Sequence, residues 1–208
     1  MLYDRVLLNH ISPKIPNRAI YRRLGYHCKA EPDTQTEERV NRVLAEAVSL
    51  MDPRGIYRSC DISVADNRVI IDETAAFSSS ALSNVFKKST KMSIIAVSIG
   101  PDICERIADC MHTRQAYADG VILDAVASEL CEACAEALNT MVTGMAAQQG
   151  YRTTFRFSPG YKDFALSGQE IIDRLIGLQD IGVTVTDHFL LKPEKSVTAL
   201  IGWERTYE

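Results

Sequence analysis

The sequence has little net charge and lacks the patterns typical of nucleic-acid or membrane proteins. Its 208 residues carry a formal net charge of -4, and it shows no Lys and Arg cluster of the kind that releases counterions from a phosphate backbone. It also lacks a basic N-terminal segment followed by an apolar stretch, and any run near the roughly 20 apolar residues that a membrane span requires. These absences predict a cytoplasmic protein without nucleic-acid or membrane partners.

Two further absences concern bound groups. The sequence contains no Gly-x-Gly-x-x-Gly and no other Gly-rich phosphate loop, so a Rossmann nucleotide site is unsupported. Of its six cysteines, Cys131 and Cys134 form a C-x-x-C inside a helical pattern, with no second C-x-x-C and no nearby His pair to complete a tetrahedral zinc site. We therefore predict no metal site and interpret the cysteines as small buried side chains. An iron-sulfur or zinc protein stays open as an alternative.

What the sequence does contain is the composition of a globular domain. Hydrophobic residues make up 46% and charged residues 24%, which is ordinary for a folded protein. The length allows one large domain or two small ones. Because no repeat or low-complexity linker interrupts the chain, we expect a single domain over 1–208.

Apolar residues recur at helical spacing in several segments. The longest is 119–149, where one stripe repeats every three or four residues. Its members are Ile122, Val126, Leu130, Cys134, Leu138, Met141 and Met145. Glu129 falls on or near this stripe, so it is either an interior or interface carboxylate or reaches solvent from the stripe's edge. Shorter helices are predicted at 15–25, 36–52, 80–88, 102–113 and 167–178.

Runs of β-branched and apolar residues predict the strands. The segments 57–64 and 68–72 form a hairpin, because Ala65-Asp66-Asn67 between them has turn chemistry. The continuous apolar run 92–98 predicts a strand buried on both faces. A short strand at 153–155 and two more near Val183 and Val197 follow. Helices and strands mix without a repeated βαβ unit, so we predict an α+β fold and not a Rossmann fold.

The sharpest local signal is Arg-Phe-Ser-Pro-Gly-Tyr at 156–161, which joins a cation, a rigid turn and an aromatic hydroxyl. Arg156 can hold a carboxylate through two parallel hydrogen bonds. Pro159 fixes its own φ, and Gly160 permits a positive φ and the close approach of a ligand. Such a loop suits a ligand that bears an amino-acid group.

This loop resembles the Arg-Pro-Ala-Pro-Gly-Tyr loop of the activation domain of cobalamin-dependent methionine synthase, and keeps four of its six residues. Two more segments resemble that family in the same order: Leu-Cys-Glu-Ala-Cys-Ala-Glu at 130–136, and Gly-Val-Thr-Val-Thr-Asp-His-Phe at 182–189 with the Pro and Ser-Val that follow. The resemblance covers 90–203 and implies the family's fold, a mainly antiparallel sheet with packed helices. The segment 1–89 adds only compatible helices and strands.

The resemblance also implies which residues bind S-adenosylmethionine. In the present numbering they are Glu132, Arg156, Ser158, Gly160 and Tyr161. Arg156 is expected to clamp the ligand's carboxylate, and Tyr161 to face the corrinoid as well. Helical geometry is compatible with the role of Glu132, because at about 100° per residue it lies off the apolar stripe and can face a groove.

The function that the resemblance implies is the reactivation of oxidised cobalamin by reductive methylation. Cobalt does the chemistry, while the domain holds the sulfonium methyl of S-adenosylmethionine over the metal. A stand-alone relative implies a partner that carries the cobalamin, either a methionine synthase or a related methyltransferase. It also implies an electron donor of the flavodoxin or ferredoxin type. The chain is then an accessory component of a methyltransferase.

A second hypothesis is a scaffold module that docks on a corrinoid protein without using S-adenosylmethionine. It follows from two departures from the family. No counterpart of the family's acidic ligand-binding residue near its N-terminus can be placed in this sequence, and the family's C-terminal extension, with a ligand-side Tyr, is expected to be missing. Docking that does not depend on Arg156 favours this hypothesis.

Overall fold

A computed structural model describes residues 5–26, 32–71 and 75–206 of the chain. The strands are β1 (Val6–Leu8), β2 (Arg54–Ala65), β3 (Arg68–Ile71), β4 (Ala75–Ser78), β5 (Ser89–Ser98), β6 (Tyr151–Thr153), β7 (Thr184–Val185), β8 (Leu191–Lys192) and β9 (Ser196–Arg205). The helices are α1 (Asn17–Arg23), α2 (Thr34–Leu50), α3 (Ser80–Phe86), α4 (Asp102–His112), α5 (Tyr117–Gln148) and α6 (Gly168–Ile176), with a 3₁₀ helix at Leu178–Ile181.

An open antiparallel sheet runs through the middle of the molecule. Its order is β4-β3-β2-β5-β9-β6, with β1 paired along β2, and β7 and β8 form a separate two-stranded ladder. At the centre, Ile95 of β5 lies opposite Tyr57 of β2 on one side and Ala199 of β9 on the other. The predicted α+β class with a mainly antiparallel sheet is confirmed.

Helices cover both faces of this sheet and create two cores. Because side chains alternate along a strand, Ile95 and Val97 of β5 join the core under α1, α2 and α5, whereas Ile94 and Ala96 join the core under α3, α6 and the 3₁₀ helix. Residues 92–98 are all buried. The apolar run at this position therefore correctly predicted a strand covered on both sides.

The β2–β3 hairpin turns at Asp66 and Asn67, whose φ values of 50° and 59° are those of a two-residue turn matched to the strand twist. The turn prediction is confirmed. β2 begins at Arg54, earlier than the predicted 57, because it pairs with β5 as far as Arg54 opposite Ser98. Residue 72 of the predicted second strand lies outside the described residues.

α2, α4 and α6 are amphipathic, with one buried and one exposed side. α2 starts two residues before the predicted 36, and its N-cap is Asp33, whose carboxylate accepts a 2.7 Å hydrogen bond from the backbone N of Thr36. Within the described ranges, no helix combines the length and the apolar character that crossing a membrane requires.

α5 buries most of the predicted stripe, with one correction. Met141 is 36% exposed, and Val142 is fully buried in its place, because one helical turn beyond Leu138 leads four residues on to Val142. Glu129 lies at the stripe's edge: its side chain is 14% exposed and pairs with Arg23 of α1 at 2.6 Å. Of the two placements expected for Glu129, the partly exposed edge position is the one observed.

β6 occupies Tyr151–Thr153, two residues before the predicted 153–155. The shift follows from packing, because the buried ring of Tyr151 lies 5.9 Å from that of Trp203 on β9. Thr154 stays in contact with β9: its backbone N donates to the carbonyl oxygen of Gly202 at 2.9 Å, and its hydroxyl accepts a hydrogen bond from the backbone N of Gly202.

Candidate functional site

The 156–161 loop is fixed to the sheet at its beginning. Phe157 and Leu200 of β9 exchange two backbone hydrogen bonds of 2.9 Å. Next to them, the hydroxyl of Ser158 donates to the carbonyl oxygen of Thr198 at 2.7 Å. The loop therefore extends β9's ladder by one residue pair, and this holds Arg156 at the edge of the sheet.

The turn in this loop requires glycine. Gly160 has φ of +92°, and its backbone N donates to the carbonyl oxygen of Phe164 at 2.7 Å. A Cβ at this position would lie 3.1 Å from Cδ2 of Leu166. The positive φ predicted from the Pro-Gly pair is confirmed.

Asp163 connects the end of the loop to α3. Its carboxylate accepts hydrogen bonds from the hydroxyls of Ser80 and Ser79 at 2.6 and 2.7 Å, and from the backbone N of Ser80 and Ala81 at 2.7 and 3.1 Å. These bonds, those from the Ser80 and Ser79 hydroxyls first, hold the pKa of Asp163 well below its ordinary value. The loop is thus fixed at both ends by polar contacts.

Arg156 and Glu132 come from distant stretches of chain and meet. The guanidinium Nη2 of Arg156 donates to Oε2 of Glu132 at 3.0 Å, and Oε2 of Glu136 lies 3.7 Å from the same nitrogen. Arg156 is mostly buried, whereas both carboxylates keep access to solvent. Glu136 was missed as a site residue, although its spacing of four residues from Glu132 places both on one face of α5.

Two cavities border this charged cluster, and Glu132, Glu136 and Arg156 line both. We call the larger one, of about 870 Å³, the groove; its opposite wall is the segment around α1, with Lys14, Arg18 and Arg22. We call the smaller one, of about 510 Å³, the pocket; the 156–161 loop, α6 and the start of β9 close it. Each has the size of a small-molecule site.

Four of the five predicted ligand-binding residues line the pocket: Glu132, Arg156, Ser158 and Tyr161. Gly160 does not line it and shapes the loop instead. The ring of Tyr161 is 65% exposed at the pocket's rim and lies 6.2 Å from that of Phe157. The structure thus brings these residues together, and their roles toward a ligand stay predictions.

The pocket also has polar residues that the sequence did not indicate. Gln169 of α6 and Thr198 of β9 are buried side by side in its wall, and the hydroxyl of Thr198 donates to Oε1 of Gln169 at 2.7 Å. No motif or period marks Gln169, because its position depends on the way α6 packs against β9.

The C-x-x-C lies inside the core and away from both cavities. Burial raises the pKa of the Cys131 thiol, and it raises that of Cys134 to about 12, so both stay protonated and unreactive near neutral pH. In residues 5–26, 32–71 and 75–206, no three His, Cys, Asp or Glu side chains are grouped so that they could hold a metal ion.

The helices and open sheet have the arrangement of a methionine synthase activation domain. The chain is similar to the solved structure of the MetH reactivation domain bound to AdoHcy, with a TM-score of 0.71 and 16% sequence identity over 99% of this chain and 80% of that one. No protein-family model matches the chain, and no curated protein matches it by sequence. The similarity shows the fold, and function has to be argued from the site.

Proposed function

We propose that this chain binds S-adenosylmethionine at the pocket and docks on a corrinoid protein to support the reductive methylation of oxidised cobalamin. The observation that carries the proposal is the convergence of Arg156 and Glu132, 3.0 Å apart, at the wall of a cavity of about 510 Å³. The MetH reactivation domain, which has the same fold, was solved with AdoHcy bound.

The charges of the cluster match those of the ligand. The amino-acid end of S-adenosylmethionine carries a carboxylate and an ammonium. Arg156 offers a positive charge to the carboxylate, and Glu132 offers a negative charge to the ammonium. Binding replaces the contacts of Arg156 with Glu132 and Glu136 by contacts with the ligand, so neither Arg156 nor Glu132 is left unpaired in a half-buried place. Ser158 holds the loop that presents Arg156. The chain's contribution is to position the ligand's methyl group.

Apolar side chains around the pocket support the docking part of the proposal. Phe155 and Tyr161 are 66% and 65% exposed, and Leu166 beside Gly160 is 40% exposed. Exposed apolar groups beside a polar cavity are typical of an interaction surface. We propose that they meet the face of a corrinoid carried by a methionine synthase or a related methyltransferase. A flavodoxin- or ferredoxin-type protein then reduces the cobalt of that corrinoid.

Titration calorimetry with S-adenosylmethionine tests ligand binding. Arg156→Ala is expected to weaken binding at least about tenfold, because the ligand's carboxylate loses its charged partner. Arg152→Ala is the matched control: Arg152 pairs with Glu204 on the sheet edge and is absent from both cavities. Equal affinities for the two variants would contradict the proposal.

Docking is tested with the cobalamin-binding domain of a methionine synthase, loaded with cob(II)alamin. Tyr161→Ala is expected to weaken the complex at least about tenfold, whereas Tyr117→Ala, which removes an exposed Tyr at the start of α5, leaves it unchanged. If the complex forms equally well with both variants, the corrinoid does not contact Tyr161, and this part of the proposal is contradicted.

One observation favours the scaffold alternative. Glu132 and Glu136 already neutralise Arg156 within the chain, as expected if the loop is retained for shape without a ligand. In that case the corrinoid domain binds Arg156→Ala as well as the original chain, and calorimetry detects no heat from S-adenosylmethionine.

A further inference from the structure

Gln169 occupies an unusual place for an amide side chain. It lies in the first turn of α6, is only 6% exposed, and forms part of the pocket wall that also contains Arg156. A buried amide has two donor hydrogens and an acceptor oxygen to satisfy. Only the acceptor has a partner in the described part of the chain, the hydroxyl of Thr198 at 2.7 Å.

This bond fixes which end of the amide faces the pocket. The Thr198 hydroxyl has no other acceptor among the side chains described, so it donates its hydrogen to Oε1 of Gln169. Among the residues that the structure describes, the Nε2 group has no partner, and it is not one of the fully enclosed unpaired atoms. It therefore keeps access to the pocket as a free donor.

We infer that Gln169 is a specificity-determining residue whose Nε2 donates a hydrogen bond to the carboxylate of the bound S-adenosylmethionine, beside Arg156. The inference rests on the proposed function and adds a second donor to it. A carboxylate has about four acceptor positions, and one guanidinium fills two of them. An amide fills a third without adding a positive charge, which the ligand's own ammonium and sulfonium would repel.

The consequence is that the pocket distinguishes ligands by whether they carry the carboxylate of the amino-acid end. A buried donor left unpaired is costly, so the pocket selects against a nucleoside sulfonium that lacks the carboxylate. Decarboxylated S-adenosylmethionine differs from the full ligand by that group alone. It is therefore the matched probe for Gln169.

Calorimetry with both ligands tests the inference. Gln169→Glu keeps an acceptor for Thr198 and removes the donor, so it is expected to weaken S-adenosylmethionine binding at least about tenfold and to leave the decarboxylated ligand no weaker. Glu170→Gln, the reverse exchange at the exposed neighbouring position on α6, is the control and is expected to bind both ligands as the original chain does.

The outcomes separate this inference from the proposed function. If the original chain binds S-adenosylmethionine and Gln169→Glu binds it equally well, or loses both ligands by the same factor, the inference is overturned and the proposed function stands. If the original chain binds no S-adenosylmethionine, both fall. Should circular dichroism show that Gln169→Glu does not fold, Gln169→Met, a neutral side chain of similar length without a donor, gives the same comparison.

Discussion

Single residues decide the shape of the 156–161 loop, and Gly160 does so through its backbone. We expect Gly160→Ala to lower the free energy of unfolding by about 1 kcal/mol or more, because φ of +92° is strained for a residue with a Cβ. Gly144, inside α5 with open space around it, is the control, since Gly144→Ala is expected to raise stability by about 0.5–1 kcal/mol. Urea unfolding measures both, and shifts of the same sign would contradict the argument.

The residues of the site were predictable to the extent that they lie in recognisable local motifs. Arg156 and Gly160 stand in one short motif, and Glu132 in a second, so a resemblance to a family could indicate them. Gln169 and Asp163 carry no such mark. Their partners lie far along the chain, and only the folded structure shows that they meet. Gln169 bonds Thr198, and Asp163 bonds the hydroxyls of Ser79 and Ser80 and the backbone N of Ser80 and Ala81.

At the scale of elements, Asp163 joins the loop to the start of α3. Asp163→Asn is expected to lower the melting temperature and to increase proteolytic cleavage in 158–166, because the amide cannot accept all four of the bonds that the carboxylate accepts. The hydrogen bonds that the Asp163 carboxylate accepts lower its pKa in the folded state. The stabilisation by this carboxylate is therefore fully present above the pKa of the unfolded state, and it is lost as the pH falls through the pKa of the folded state.

Melting curves at several pH values check this linkage. The difference in melting temperature between the original chain and Asp163→Asn is expected to be constant above about pH 5 and to shrink below about pH 4. A difference that grows on acidification would show that the carboxylate does not stabilise the folded state.

A polar chain, buried at Trp203 and Ser93 and half-buried at Ser59, crosses the three central strands. The indole Nε1 of Trp203 on β9 donates to Oγ of Ser93 on β5 at 3.0 Å, and Ser93 hydrogen-bonds Ser59 on β2 at 2.7 Å. We expect Ser93→Ala to destabilise the fold by about 1–3 kcal/mol, because the buried N–H loses its acceptor. Ser63→Ala, at an exposed position of β2, is expected to change stability by less than about 0.5 kcal/mol. Guanidinium unfolding followed by tryptophan fluorescence compares them.

Long elements could be predicted from the sequence, and several of the short strands could not. α5 and β5 each contain enough buried residues to show a period or an apolar run. β1, β4 and β8 have two to four residues each, which is too few for a pattern. These strands exist because a neighbouring strand offers them unpaired backbone groups, and the sequence does not show that neighbour.

At the scale of the whole molecule, two cores share one sheet, which bears on the expected single domain. Leu138 lies in the core under α5, and Leu82 in the core under α3. We expect Leu138→Ala and Leu82→Ala each to cost about 2–5 kcal/mol. Because the strands between the cores are common to both, fluorescence of Trp203 and far-ultraviolet circular dichroism should report one coincident transition in each variant. Separate transitions would indicate two units.

Thr198 lies where the centre of the sheet borders the pocket. On one side of β9, Thr198 pairs with Ala96 of β5. On the other side, its carbonyl oxygen accepts a hydrogen bond from the hydroxyl of Ser158. We therefore expect the wall that β9 gives the pocket to exchange slowly, with amide protons released mainly by global opening. A ligand held between this wall and α5 should slow deuterium uptake chiefly in the α5 segment around Glu132, since the strand behind it is already protected.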